Sequence, residues 1–166
     1  MSRAWYAVQC KPREDDRAEV NLERQGFEVY RPRALVRRRR RGTLATIEES
    51  LFPRYLFLNL EAGVDNWYPI RSTRGVVGLV RFGLEPTPVP DSVIEFIRDH
   101  TDPQTGCVDL VTPNDYKPGQ TVLISEGPFA GYEAVFLRRT GEERVLVLLE
   151  VMKQGQRLVL PESAIQ

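Results

Sequence analysis

The chain has 166 residues, enough for one ordinary domain or two small ones. Hydrophobic residues make up 42% and charged residues 28%, and no run of 18 apolar residues or signal-peptide core occurs, so a cytoplasmic protein with no membrane contact is expected. The 23 basic side chains equal the 23 acidic ones, but residues 1–100 hold 17 basic against 14 acidic and residues 101–166 hold 6 against 9, which allows a nucleic-acid contact at the front and attraction between the halves.

Ala4–Cys10 (AWYAVQC) is a short apolar run that predicts a strand. Arg13–Gln25 predicts a helix, with Glu14, Asp15 and Asp16 in the first turn, Ala18 and Leu22 facing inward, and Gly26 as the stop. Arg17, Asn21 and Arg24 share another face of it. FEVYRPR predicts a second strand. Arg37–Arg41 are five consecutive arginines followed by Gly42, and the flanking LV and TLATI can pair as a protruding hairpin. Five like charges repel and do not pack into a core, so this tip is expected in solvent. Arginine throughout, with its bidentate fork, points to phosphate as the partner.

SLFPRYLFLNL (Ser50–Leu60) predicts the central strand. From Tyr55 both side-chain parities are apolar, Tyr55 and Phe57 on one side and Leu56, Leu58 and Leu60 on the other, so both faces need cover. Pro53 fits the strand's start, and Phe52 ahead of it is expected outside the ladder and exposed. Asn66–Ser72 predicts a short helix, VVGLVRF a strand, and Asp91 a cap for the helix SVIEFIRDH with Val93, Ile94 and Ile97 as its apolar stripe. The order is β-α-β-β-α-β-α, an α/β sandwich with helices on one side, over residues 1–100.

Thr101–Pro113, with two prolines, a glycine and no periodicity, predicts a linker. Residues 114–166 form a second unit of short strands between glycine turns, expected to close as a small barrel. RVLVLLEVM is ambiguous. As a strand it aligns Val145, Val147, Leu149 and Val151; as a helix it aligns Val145, Leu148, Leu149 and Met152. Thr140-Gly141-Glu142-Glu143 is a hairpin turn in the first reading and a capping box in the second, with Gly155 as the helix end. Pro128 can likewise open a helix through Arg139, with Phe129, Tyr132 and Phe136 on one side.

Nothing in the chain marks an enzyme. His100 is the only histidine, at a helix end; Cys10 and Cys107 are far apart and read as reduced thiols; no Cys-x-x-Cys, P-loop or dinucleotide fingerprint occurs. No catalytic residue, metal or cofactor is therefore assigned.

The segment YKPGQTVLISEGPFAGYEAVF (Tyr116–Phe136) resembles a KOW motif. Together with WYAVQC, LFPRYLFLNL and NWYPIRSTRGVVGLVRFG, it makes the whole chain similar to the NusG family of transcription elongation factors. The strings WYAVQCK, LERQ, LFPRYLF, STRGV and VRFG look closest to the operon-specific RfaH branch of that family. The resemblance implies an α+β fold: a NusG-type N-terminal α/β sandwich (1–100), a linker (101–113), and a KOW C-terminal domain (114–166). By that resemblance the last domain would be an SH3-like β-barrel or, in a closed autoinhibited state, an α-helical hairpin.

By position, the resemblance implies that Phe52, Tyr55, Phe57, Phe82, Ile94 and Ile97 bind the clamp helices of the RNA polymerase large subunit, with Asn66, Trp67 and Tyr68 toward its gate loop. Lys11, Arg17, Asn21, Arg24, Gln25, Thr73 and Arg74, with Arg41 on the hairpin, would meet the non-template DNA strand. Glu49 and Arg144 would form an interdomain ion pair beside Phe136, Leu148 and Met152. Asn21 stands where RfaH has a histidine, and Asn66-Trp67-Tyr68 departs from its His-Thr-Thr string. The implied function is antitermination at specific operons by a monomer that couples to the ribosome through a small-subunit ribosomal protein. The alternatives are a general housekeeping NusG factor and a KOW ribosomal or RNA-binding protein, the latter disfavoured by the acidic residues 101–166.

Overall fold

A computed structural model of the chain describes residues 3–61, 64–111 and 140–158, the last five of these by backbone alone. Expectations for the strands of residues 114–139, the helix opening at Pro128, and Phe136 lie outside the described residues.

The body is a mixed α/β fold. Strands β1 (Arg3–Cys10), β2 (Glu28–Tyr30), β5 (Tyr55–Glu61), β6 (Val76–Leu79) and β7 (Pro88–Val89) form one sheet in the order β2-β5-β1-β6, with β7 also on β1. All its pairings are antiparallel. Strand β5 is central, as its two apolar parities require: Leu56, Leu58 and Leu60 enter one cluster with Tyr6 and Val8, while Phe57 enters another with Trp5 and Ala7. Phe52 differs from expectation. It is 1% exposed and packs edge-on against Phe57, because the turn after β4 folds back onto the same cluster.

The helices lie on both faces of this sheet, not on one. Helix α1 (Asp15–Arg24) delivers Ala18 and Leu22 to the Leu56–Leu58–Leu60 side, and α2 (Asp91–Asp99) delivers Val93, Ile94 and Ile97 to the Phe57 side. A strand apolar on both parities needs cover twice, so one-sided helices would leave half of it wet. Helix α1 starts later than the sequence suggested because Arg13 is left-handed, at φ 62°. Asp91 is the first residue of α2, and Pro90 precedes it as the cap. Only Tyr68–Ile70 of the short helix expected over Asn66–Ser72 forms, as one 3-10 turn.

Strands β3 (Arg33–Arg40) and β4 (Thr43–Ser50) form a hairpin, and β8 (Val108–Asp109) pairs parallel with β3. Four of the five arginines lie in the ladder, which closes at Arg40–Thr43. Only Arg41 and Gly42 make the tip, both at positive φ, which matches a two-residue hairpin turn to the strand twist. Residues 101–111 are not a loose linker: Asp102 N–H donates to Cys107 O, Thr101 bridges Val108, and Cys107 and Val108 are buried. Two apolar residues next to each other suffice to anchor the segment on β3.

Helix α3 (Gly141–Leu158) is the helical reading of RVLVLLEVM, and in this structure the strand reading is not used. Thr140 Oγ1 accepts from Glu143 N–H at 3.2 Å and stands 3.0 Å from Glu143 Oε1, satisfying one free amide of the first turn. Gly155 does not end the helix, which continues through it to Leu158. Val145, Leu148, Val151 and Met152 join the Phe57-side cluster. At the helix start Gly141 lies against the Pro53 ring. Among the described residues no helix is long and apolar enough to cross a membrane.

Candidate functional site

The Phe57 side of the sheet gathers most of the residues assigned to a polymerase contact. Phe52, Phe57, Ile94 and Ile97 are buried in one cluster, with Tyr55 half-buried against it. The side chains that share this cluster from outside the body are Val145, Leu148, Val151 and Met152 of α3. An aromatic and aliphatic face that packs, among the described residues, against the amphipathic α3 has the chemistry of a helix-binding groove.

Arg144 pins that helix. Its side chain is completely buried, its Nε donates to Leu51 O at 2.7 Å, and its Nη2 stands 3.4 Å from Glu49 Oε2. Burial lowers its pKa, the Glu49 carboxylate opposes that, and the nearby Arg38 adds to it. Glu49 is shared, since its Oε1 lies 2.9 Å from Arg38 Nη2. Leu51 O and Arg38 went unnoticed in the sequence, because only the strand register brings them beside Glu49.

The remaining polymerase candidates sit elsewhere. Trp67 packs edge-on against Tyr6 on the α1 side of the sheet, Tyr68 is 90% exposed, and Asn66 Oδ1 accepts from Tyr68 N–H. Phe82 is 37% exposed and outside the Phe57-side cluster. The structure therefore gathers five of the nine residues on the Phe57 side, sets Asn66, Trp67 and Tyr68 on the other, and leaves Phe82 in neither cluster.

The DNA candidates converge on a seam between α1, the end of β1 and the loop before β6. Lys11 N–H donates to Gly75 O at 2.8 Å, and Gly75, at φ +89°, passes so near α1 that a Cβ would come within 2.8 Å of Ala18 N. Gln25 Nε2 donates to Thr73 Oγ1 at 2.7 Å and to Asn21 O at 3.2 Å. Lys11, Arg17, Arg24 and Arg74 are exposed along this seam, and Asn21 is half-buried. Thr73 is not available as a contact: it is buried, and its hydroxyl donates to Pro69 O while accepting from Gln25. It holds the loop in place instead. Arg41 lies apart, at the hairpin tip.

Arg31, which the sequence did not single out and whose side chain is 7% exposed, locks α1 to the hairpin. Arg31 pairs with Asp16 and with Glu19 at 3.0 Å and donates to Ser50 Oγ, which in turn donates to Asp15. Nothing in the spacing of these residues signals the network. Cys10 and Cys107 are both free and buried, and burial pushes the Cys10 thiol up to about 12. His100 is exposed and its Nδ1 lies 2.9 Å from Phe96 O, a helix-end role.

Residues 3–98 match the family model described as transcription termination factor NusG. The chain is 26% identical over 147 residues to the transcription termination/antitermination protein NusG of Thermus thermophilus, covering 80% of each. It is 26% identical to that of Bacillus subtilis over 80% of this chain and 79% of the other. The Staphylococcus aureus NusG of strain N315 is 28% identical, over 78% and 75%. A solved structure described as domain interaction in Thermotoga maritima NusG aligns at TM-score 0.40 and 27% identity, over 58% of this chain and 56% of that one. A match over this much of the sequence, on a mixed α/β body whose sheet is covered by helices on both faces, places the chain in the NusG family of transcription termination factors.

Proposed function

We propose that the protein is a transcription elongation factor held in a closed state, whose Phe57-side face binds the clamp helices of RNA polymerase once α3 leaves it. The burial of Phe52, Phe57, Ile94 and Ile97 together with Leu148 and Met152 carries this reading. An apolar face of this composition is costly to leave in water, and the partner helix would replace α3 on it. The exposed cations along the α1 seam suit the non-template DNA strand: Arg17, Arg24, Lys11 and Arg74 as phosphate or guanine contacts, Asn21 as the group able to read an adenine edge. The hairpin arginines suit phosphate. Asn66, Trp67 and Tyr68 would meet a second polymerase element, the gate loop, on the other side of the sheet.

The finer reading is operon-specific antitermination of the RfaH type. Opening would require DNA and polymerase, and the released residues 114–166 would form a KOW barrel that meets a small-subunit ribosomal protein, with the factor acting as a cytoplasmic monomer. The pairing of Arg144 with Glu49 and Leu51 supports it, since a tethered domain with no closed state has no need of a buried arginine there. A general NusG factor is the second reading, and the names of the relatives favour it.

Pull-down of core RNA polymerase by the full chain and by Arg144→Ala separates them. Stronger capture by Arg144→Ala than by the wild type is expected. Equal capture would remove the closed state and leave the general factor. Tyr55→Asp, checked by a thermal melt for an intact fold, should abolish capture in both backgrounds.

A further inference from the structure

The β3–β4 hairpin is charged on both faces. Arg37 and Arg39 alternate with Arg38 and Arg40, and the latter pair continues the face that holds Ala34 and Val36 in the core. Same-face guanidinium stems lie roughly 7 Å apart along such a strand. Across the ladder they meet Thr46, Ala45, Leu44 and Thr43, none of them acidic. A two-stranded ribbon that is basic on both sides fits between two phosphate backbones, as in the major groove of a duplex.

One of these arginines is tied to the helix lock. Glu49 gives Oε1 to Arg38 at 2.9 Å and Oε2 to the buried Arg144 at 3.4 Å. We propose that the ribbon binds the phosphate backbone of duplex DNA and does so more tightly while α3 is seated, because Glu49 is divided between Arg38 and Arg144. The inference rests on reading the hairpin arginines as phosphate contacts. With α3 seated, a phosphate that draws Arg38 away leaves Glu49 wholly to Arg144 and removes a positive neighbour from a buried cation. With α3 gone, the phosphate must take Arg38 from a carboxylate that no longer has Arg144 beside it. Coupling between two sites is reciprocal, so DNA on the ribbon stabilises the seated helix by the same factor. Backbone contact with DNA of any sequence then keeps the helix shut. Opening is left to the seam on α1 and to the polymerase.

Hydrogen exchange of the α3 amides in the full chain, at low salt, with and without a short duplex of arbitrary sequence, tests this. The duplex should slow α3 exchange by about fivefold. Arg38→Gln should remove the gain although the duplex still binds, whereas Arg39→Gln and Arg41→Gln should weaken binding and keep the gain at saturation. Faster exchange with duplex, or an undiminished gain in Arg38→Gln, overturns the coupling. Duplex affinity and salt slope indifferent to Arg39→Gln and Arg41→Gln overturn the phosphate reading beneath it. An α3 unprotected without DNA overturns the closed state itself, and an equal gain with single-stranded DNA overturns the assignment to a duplex.

Discussion

The α1 side and the α3 side of the central sheet draw their cover from different distances along the chain. Helix α1 follows β1 directly and is held by Ala18 and Leu22, by the Gly75 loop pressed to its backbone, and by Arg31 reaching Asp16 and Glu19. Helix α3 arrives from residue 141 and is held by an apolar stripe and one buried arginine. The first cover is part of the body. The second, beside α2, covers a face with four aromatic residues, Trp5, Tyr30, Phe52 and Phe57, in contact with one another. A surface that is apolar enough to be core, yet draws part of its cover from a helix that begins at residue 141, has the composition of an interface.

The sharpest way to break that contrast is Arg144→Ala. It leaves Leu51 O unpaired and Glu49 to Arg38 alone, and about 1–3 kcal/mol of α3 seating should go. Exchange of α3 amides should accelerate accordingly, with the β1 and β5 amides unchanged. Leu58→Ala, on the α1 side, should do the opposite: roughly 3 kcal/mol lost from unfolding of the whole body in a denaturant titration. If both variants affected both sides equally, the lid and the body would be one cooperative unit.

A smaller effect is expected from Thr140→Ala, which removes the side-chain cap and should cost about 1 kcal/mol of α3 alone, seen as fraying of its first turn. The smallest is alkaline. Burial raises the Cys10 thiol to about 12, above its unfolded value, so its contribution is complete at neutral pH and declines as pH rises toward that value. The loss should be about 0.5 kcal/mol by pH 9, fall on the body and not on α3, and vanish in Cys10→Ala.

The body was legible where a pattern is local. Two apolar parities in Tyr55–Leu60 announce a doubly covered strand, and the stripe Val93, Ile94, Ile97 announces the inner face of α2. The same strand's demand for two covers also argues against helices on one side, an inference the periodicity alone did not force. The RVLVLLEVM segment satisfies both periods, and only its fit to the Phe57 face decides for helix here. What could not be read were meetings across the ladder. The approach of Arg38 to Glu49, the bond from Arg144 to Leu51 O and the Arg31 network depend on register and on folding back of the turn after β4, and no spacing encodes them. The same holds for Thr73, placed at the DNA face by resemblance alone: its burial and its bonds to Gln25 and Pro69 O are meetings that no spacing encodes.

The contact of Gly141 with Pro53 separates two properties usually treated as one. A methyl group at that position would favour the helical backbone, by less than the ~1 kcal/mol of a helix interior, wherever α3 happened to be. On the sheet, however, the same methyl would overlap a rigid proline ring. Gly141→Ala therefore makes a better helix and a worse lid, and a spectrum reporting helix content would score the variant as more ordered while the face beneath it became accessible. Occlusion of that face is a question of steric tolerance at one glycine, and total helicity is a poor proxy for it.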